Sequence, residues 1–174
     1  VIAVIVDDRE IVGALQTLAD RSANLRPALA SIGGVLREAV LASFKAQASP
    51  YGAPWEKLKN STLRARASRA AGGKTRRKDG KPTAKFARAM AGKVAILQDR
   101  GTLRASIEVL NVSDSSVTVG TVVPYAAVHQ FGGGRNRIPA RPFMPIRDGH
   151  ADLPPALHDK VMGILQAHLD KALA

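Results

Sequence analysis

The chain has 174 residues, with 26 Lys+Arg against 14 Asp+Glu, a formal net charge of +12, and no cysteine. At 45% hydrophobic it can bury a real core, which excludes wholesale disorder. The absence of cysteine removes disulfide frameworks, thiolate catalysis and Cys-ligated zinc, and the seven aromatic residues leave most of the core to Leu, Val, Ile and Ala.

Val1 to Val6 is apolar and β-branched and predicts a short strand. Asp7, Asp8 and Glu10 follow at once, which a signal peptide does not tolerate. No run approaches the roughly 18 apolar residues that span a bilayer, so no membrane partner is expected. Glu10 to Arg21 reads as a helix with Ile11, Leu15 and Leu18 on one face. A second helix is expected over about 25–47, with Leu25, Leu29, Ile32, Leu36 and Val40 as its stripe, Asn24 as cap and Pro27 in the first turn. Gly33-Gly34 weakens its middle or admits a close neighbour, and Pro50, Gly52 and Pro54 end it.

Ser61 to about Arg69 is weakly helical, and Phe86 to Leu97 regains a turn or two. Between 107 and 120 the period changes to two: Ile107 and Val109, then Val117 and Val119, alternate with polar residues around Ser113-Asp114-Ser115, a β-hairpin. Pro124 to Phe131 predicts a short helix closed by Gly132, and Ile138 to Ile146 an extended stretch punctuated by proline. Asp152 is the expected cap of a last helix reaching about Leu173. The fold class is α+β: long helices packed on a small, mostly antiparallel sheet, one domain over 1–174 with a mobile basic loop at about 66–93.

The positive charge is confined. Residues 57–104 hold 15 Lys+Arg and two acids, a net of +13, while the remainder holds 11 Lys+Arg and 12 acids, a net of −1. Lys74, Arg76, Arg77, Lys78, Lys81 and Lys85 lie at the centre of that segment and repel one another, so an anionic neighbour is expected: nucleic acid, or an acidic face of a protein. Only Trp55 and Phe86 lie in or near the segment, so base stacking is not supported. A solvated arm is the plain alternative.

Chemistry is hard to find. His129, His150, His158 and His168 form no zinc-binding spacing, and no nucleophile elbow or phosphate-binding loop occurs. His158 and His168 differ by roughly 80° around the last helix and would not share a metal. No catalytic residue, metal or cofactor is expected. A hydrolase acting through His129 lacks a nucleophile beside it.

Three local patterns are specific. Ser49-Pro50-Tyr51-Gly52-Ala53-Pro54-Trp55 ends a helix in a rigid turn that delivers the single Trp. Leu97-Gln98-Asp99-Arg100-Gly101-Thr102-Leu103-Arg104-Ala105-Ser106-Ile107 leads into the hairpin. Tyr125-Ala126-Ala127-Val128-His129-Gln130-Phe131-Gly132 is followed by Ile138-Pro139-Ala140-Arg141-Pro142-Phe143. Their order over about residues 25–172 resembles the phage virion morphogenesis family, the tail-completion proteins of contractile-tailed phages and related prophages. The resemblance implies a structural protein of the virion neck that is not an enzyme. It implies a ring-shaped homo-oligomer, hexameric as one size, meeting other neck and tail proteins in the virion after assembly in the host cytoplasm. In that role Tyr125, His129, Phe131, Arg141 and Phe143 are the candidate subunit or partner contacts. The basic loop would order against neighbouring subunits, an acidic ring or genomic DNA. Tyr125 and His129 share one face of a short helix and Phe131 lies on another side. The plain alternatives are a packing histidine bonded to a backbone carbonyl, an edge strand around Arg141, and Trp55 as a core anchor. A nonspecific nucleic-acid-binding module is the rival function.

Overall fold

The stripe of Leu25, Leu29, Ile32, Leu36 and Val40 folds as the long helix α1 (Arg26–Ala46). It appears in a computed structural model that describes residues 24–92, 94–134, 138–147 and 150–171, with positions 13, 16, 19 and 20. The strand expected over Val1 to Val6 lies outside the described residues. Of the helix expected over Glu10 to Arg21, the four described positions are helical. Leu25 rather than Asn24 precedes α1, its carbonyl accepting from Leu29 N at 2.8 Å.

Among the described residues, nine further elements follow: α2 (Asn60–Ala70), α3 (Ala84–Ala91), α4 (Thr102–Ala105), β1 (Glu108–Val112), β2 (Val117–Gly120), α5 (Ala126–Phe131), β3 (Ile146–Arg147), β4 (His150–Ala151) and α6 (Pro155–Asp170). β1–β2 and β3–β4 are separate two-stranded antiparallel sheets, so the fold is α+β. The contacts divide the chain into two compact units. Unit 1 is Val1–Leu41, Ile107–Val122 and Pro145–Ala174; unit 2 is Ala42–Ser106 and Val123–Met144.

In unit 1 the hairpin packs on α1 where α1 has no side chain. A Cβ at Gly33 would stand 2.9 Å from Val117 Cγ2 and 3.1 Å from Val109 Cγ1, so the pair of glycines serves close approach at one position only. Gly34 meets nothing within 4 Å. We expect Gly33→Ala to destabilise by about 1–3 kcal/mol through overpacking. Gly34→Ala should stabilise by up to about 1 kcal/mol through helix propensity. Denaturant midpoints of the two variants, moving in opposite directions, check this. Arg37 Nε donates to Ile107 O at 2.9 Å and fixes the start of β1. A bulge between Val109 and Asn111 leaves Leu110 unpaired and 46% exposed. Among the described residues, α1 is the helix long and apolar enough to cross a membrane by length and composition. Its central Arg37 and Glu38, and the carbonyl that Arg37 holds, are features of a helix packed against protein.

The last helix starts later than its sequence suggests. Asp152 does not cap it. Pro154 precedes the first turn, its carbonyl accepting from Leu157 N and His158 N at 2.9 Å each, and Pro155 opens the helix. A proline at the first helical position has no N–H to satisfy, and the residue before it is pushed out of the helical region. Asp152 instead pairs with Arg147 at 3.2 Å beside the β3–β4 pair.

Unit 2 is built around the end of α1. Gln47 takes a left-handed conformation (φ 53°), and Ala48 N reaches back to Ser43 O at 3.2 Å, a helix-ending motif. Ser49 then closes the Pro-Tyr-Gly turn from both sides: its N–H donates to Ala53 O at 2.7 Å and its hydroxyl accepts from Ala53 N at 3.1 Å. The chain reverses, and Trp55 lies edge-on to Phe44 with ring centroids 5.6 Å apart. Phe143 completes the cluster, 5.3 Å from Phe44. All three rings are buried.

Of the stretch 66–93, read from sequence as a mobile basic loop, residues 66–92 are described and carry secondary structure. α2 extends to Ala70, Arg76 bridges to Pro82, and α3 is capped by Thr83, whose hydroxyl accepts from Phe86 N at 3.3 Å. Two acids offset the repulsion. Asp99 pairs with Arg66 at 3.3 Å and with Arg69, and Asp79 accepts from Lys81 N at 3.0 Å. Lys74, Arg76, Arg77, Lys78, Lys81 and Lys85 are all exposed around this turn.

Candidate functional site

The short helix α5 is where exposed and buried candidates meet. It is held from behind by Gln130, whose side chain is buried. Gln130 Oε1 accepts from Phe143 N at 2.9 Å and Met144 N at 3.0 Å, and Nε2 donates to Met144 O at 3.1 Å. One amide thereby replaces a strand partner for the extended Pro-rich stretch. Arg141 N adds a bond to His129 O at 2.7 Å. The turn between the two segments requires Gly132. Its φ is 85°, and a Cβ there would stand 3.2 Å from Ala140 N and Ile138 O.

The five contact candidates separate into two groups. Tyr125 is 45% exposed and Phe131 60% exposed, with Val128 between them also exposed. Arg141 and Phe143 are buried within unit 2. Phe143 is core, and Arg141 is 6% exposed, its Nε donating to Glu56 O at 2.9 Å and its Nη2 to Lys57 O at 3.4 Å. Arg141 therefore ties the Pro-rich stretch to the segment after Trp55, whose Nε1 donates to Pro142 O at 2.7 Å. His129 lies between the groups. Its ring meets Tyr125 edge-on at 5.7 Å, as the four-residue spacing predicts. Its buried Nδ1 has no hydrogen-bond partner, so the packing histidine bonded to a carbonyl through that nitrogen is not what is found.

Sequence reading missed Gln130. The available signal was its spacing: four residues after the small Ala126 on a six-residue helix, both are buried. It also missed the cleft of about 720 Å³ that Tyr125, His129 and Arg141 line with Lys59, Arg66 and Asp99. Phe131 lies outside that cleft, on a second depression beside Gly132 and Gly133. Among the described residues no group of three or more His, Asp or Glu is placed to hold a metal.

Burial pushes the His129 imidazole below its ordinary value, and the neighbouring Arg141 charge pushes it further. The unfolded chain, with histidine near about 6.5, therefore takes up the proton first. The His129 contribution is intact above that value and is lost as pH falls through it toward the lower folded value. Urea midpoints at about pH 7.5 and about pH 5 should show less acid sensitivity in His129→Gln than in the wild type.

Unit 2 thus carries an exposed aromatic edge on a locked frame and, in a separate segment, an exposed basic turn. The chain belongs to the phage virion morphogenesis family, whose model matches residues 6–170. It is also 34% identical over 141 residues to Mu-like prophage FluMu G protein 2 of Haemophilus influenzae, covering 78% of this chain and 77% of that protein. No solved structure matches the chain. Its role is in the building of a phage virion.

Proposed function

We propose that the chain completes the virion tail or joins tail to head, assembling with copies of itself as a ring in the neck and meeting other neck and tail proteins there. The observation that carries this reading is the exposure of Tyr125 and Phe131 on a helix clamped by Gln130 and Arg141. Large aromatic side chains held in a fixed frame lose little entropy on docking and dominate interface energetics. Both lie in the stretch that is most specific to the family, where a purely internal role would leave them buried. The reading makes the protein a structural part of the virion without a catalytic task.

Tyr125→Ser with Phe131→Ser should abolish self-association, or weaken it by about 2–4 kcal/mol, while circular dichroism stays unchanged. Light scattering at rising concentration and native mass spectrometry check this. Wild-type association that survives both changes would remove the support. The exposed basic turn from Lys74 to Lys85 favours a further contact, with genomic DNA passing the channel. Duplex affinity that fails to fall steeply with salt would count against that contact.

A further inference from the structure

The cleft of unit 2 contains a guanidinium that forms no ion pair with a described carboxylate. Arg141 is 6% exposed, and removing a guanidinium from water costs several kcal/mol unless it is well paired. Its hydrogen-bond partners are two backbone carbonyls, and it forms no ion pair with a described carboxylate. Glu56 is the acid whose charge reaches it, and Glu56 is itself exposed. Asp99, the one carboxylate among the lining residues, is held by Arg66 and Arg69. The second observation is separate from the first. His129 Nδ1 is buried without a hydrogen-bond partner, which costs about 1–3 kcal/mol. Both side chains line the same cleft, and the exposed cations Lys59 and Arg100 line it with them.

We propose that this cleft is a carboxylate-binding site that receives an acidic side chain from a neighbouring protein subunit. An ionised carboxylate only accepts hydrogen bonds, and it matches the donor fork of a guanidinium. A neutral imidazole offers one donor, and a half-turn about Cβ–Cγ exchanges Nδ1 for a carbon, so an occupant can draw the uncommitted nitrogen toward itself. Lys59 and Arg100 supply attraction at longer range. Leu58, Leu97, Ile138 and Pro139 give the cleft apolar walls suited to the carbon atoms of an amino-acid side chain. A sugar–phosphate strand fits less well, since it brings no apolar counterpart to those walls.

The natural occupant rests on the assembly reading above, but the site can be tested without it. The full chain, labelled with ¹⁵N-histidine, is titrated with N-acetylglutamate amide, with sodium chloride and inorganic phosphate at matched ionic strength as comparisons. The expected result is a saturable shift of the His129 ring nitrogens, with His150, His158 and His168 unmoved. Binding should be about tenfold weaker in Lys59→Ala/Arg100→Ala, whose side chains are exposed and leave the core intact. No His129 shift at about 100 mM probe, an equal shift with chloride, or tighter binding of phosphate would each overturn the proposal.

Native mass spectrometry of Lys59→Glu/Arg100→Glu identifies the source of the carboxylate. Loss of self-association with an unchanged fold puts it on a second copy of this chain. Retained self-association, with the probe still binding the wild type, puts it on another virion protein. A negative titration beside intact assembly overturns the site alone; a positive titration in a chain that never associates leaves the site and removes the ring.

Discussion

Phe44→Ala is expected to cost about 3–5 kcal/mol and to leave unit 2 at the edge of unfolding. Phe44 has no exposed surface and stands between Trp55, edge-on at 5.6 Å, and Phe143 at 5.3 Å. This one ring, at the end of α1, joins the turn that follows it to the Pro-rich stretch about a hundred residues later. The alanine variant loses the transfer energy of the ring, leaves a cavity and forfeits two aromatic contacts of about 0.5–1.5 kcal/mol each. Neighbours cannot collapse to fill the space. Trp55 is pinned by its bond to Pro142 O, and Phe143 by its backbone bond to Gln130. Urea unfolding followed by Trp55 fluorescence measures the loss, and a midpoint shift with unchanged slope marks it as a stability effect.

Gln130→Leu should be nearly as severe, about 2–5 kcal/mol, although it adds apolar bulk to a buried position. The wild-type amide satisfies Phe143 N, Met144 N and Met144 O. Leucine leaves those groups unpaired, and each buried orphan costs about 1–3 kcal/mol. Gln130→Glu keeps the acceptor, loses the donor to Met144 O and should fall between the two. Because α5 loses its clamp, self-association should fall as well, even though Tyr125 and Phe131 are unaltered. Thermal unfolding and native mass spectrometry on one set of variants separate this from a pure surface effect.

What could be read from the sequence was what depends on neighbours along the chain. The stripe from Leu25 to Val40, the alternation around Ser113-Asp114-Ser115 and the Pro-Tyr-Gly turn each encode their structure within a few residues, and α1, the β1–β2 hairpin and the Trp55 turn follow. Composition at 66–93 was a poorer guide. The charge count over 57–104 included Asp99 but could not place it against Arg66 and Arg69, about thirty residues earlier in the chain. The start of α6 was misplaced because an acid ahead of an apolar run looks like a cap, whereas two prolines set the boundary.

The site was half legible. The spacing of Tyr125 and His129 predicts their ring contact. Nothing local indicates that Arg141 turns inward to the carbonyls of Glu56 and Lys57, or that Phe143 joins the core, because their partners lie some 85 to 100 residues earlier in the chain. Gln130 shows the same limit. A lone glutamine between histidine and phenylalanine gives no hint that it stands in for a missing strand.

On the proposed reading, this polypeptide is needed to finish or attach the tail. Electron microscopy of particles made by a phage from which the gene has been deleted tests it most directly. The predicted result is full heads beside unattached tails, or tails of wrong length, with normal particles restored by the wild-type chain and not by Tyr125→Ser/Phe131→Ser. Normal virions with attached tails in the deletion strain would contradict it.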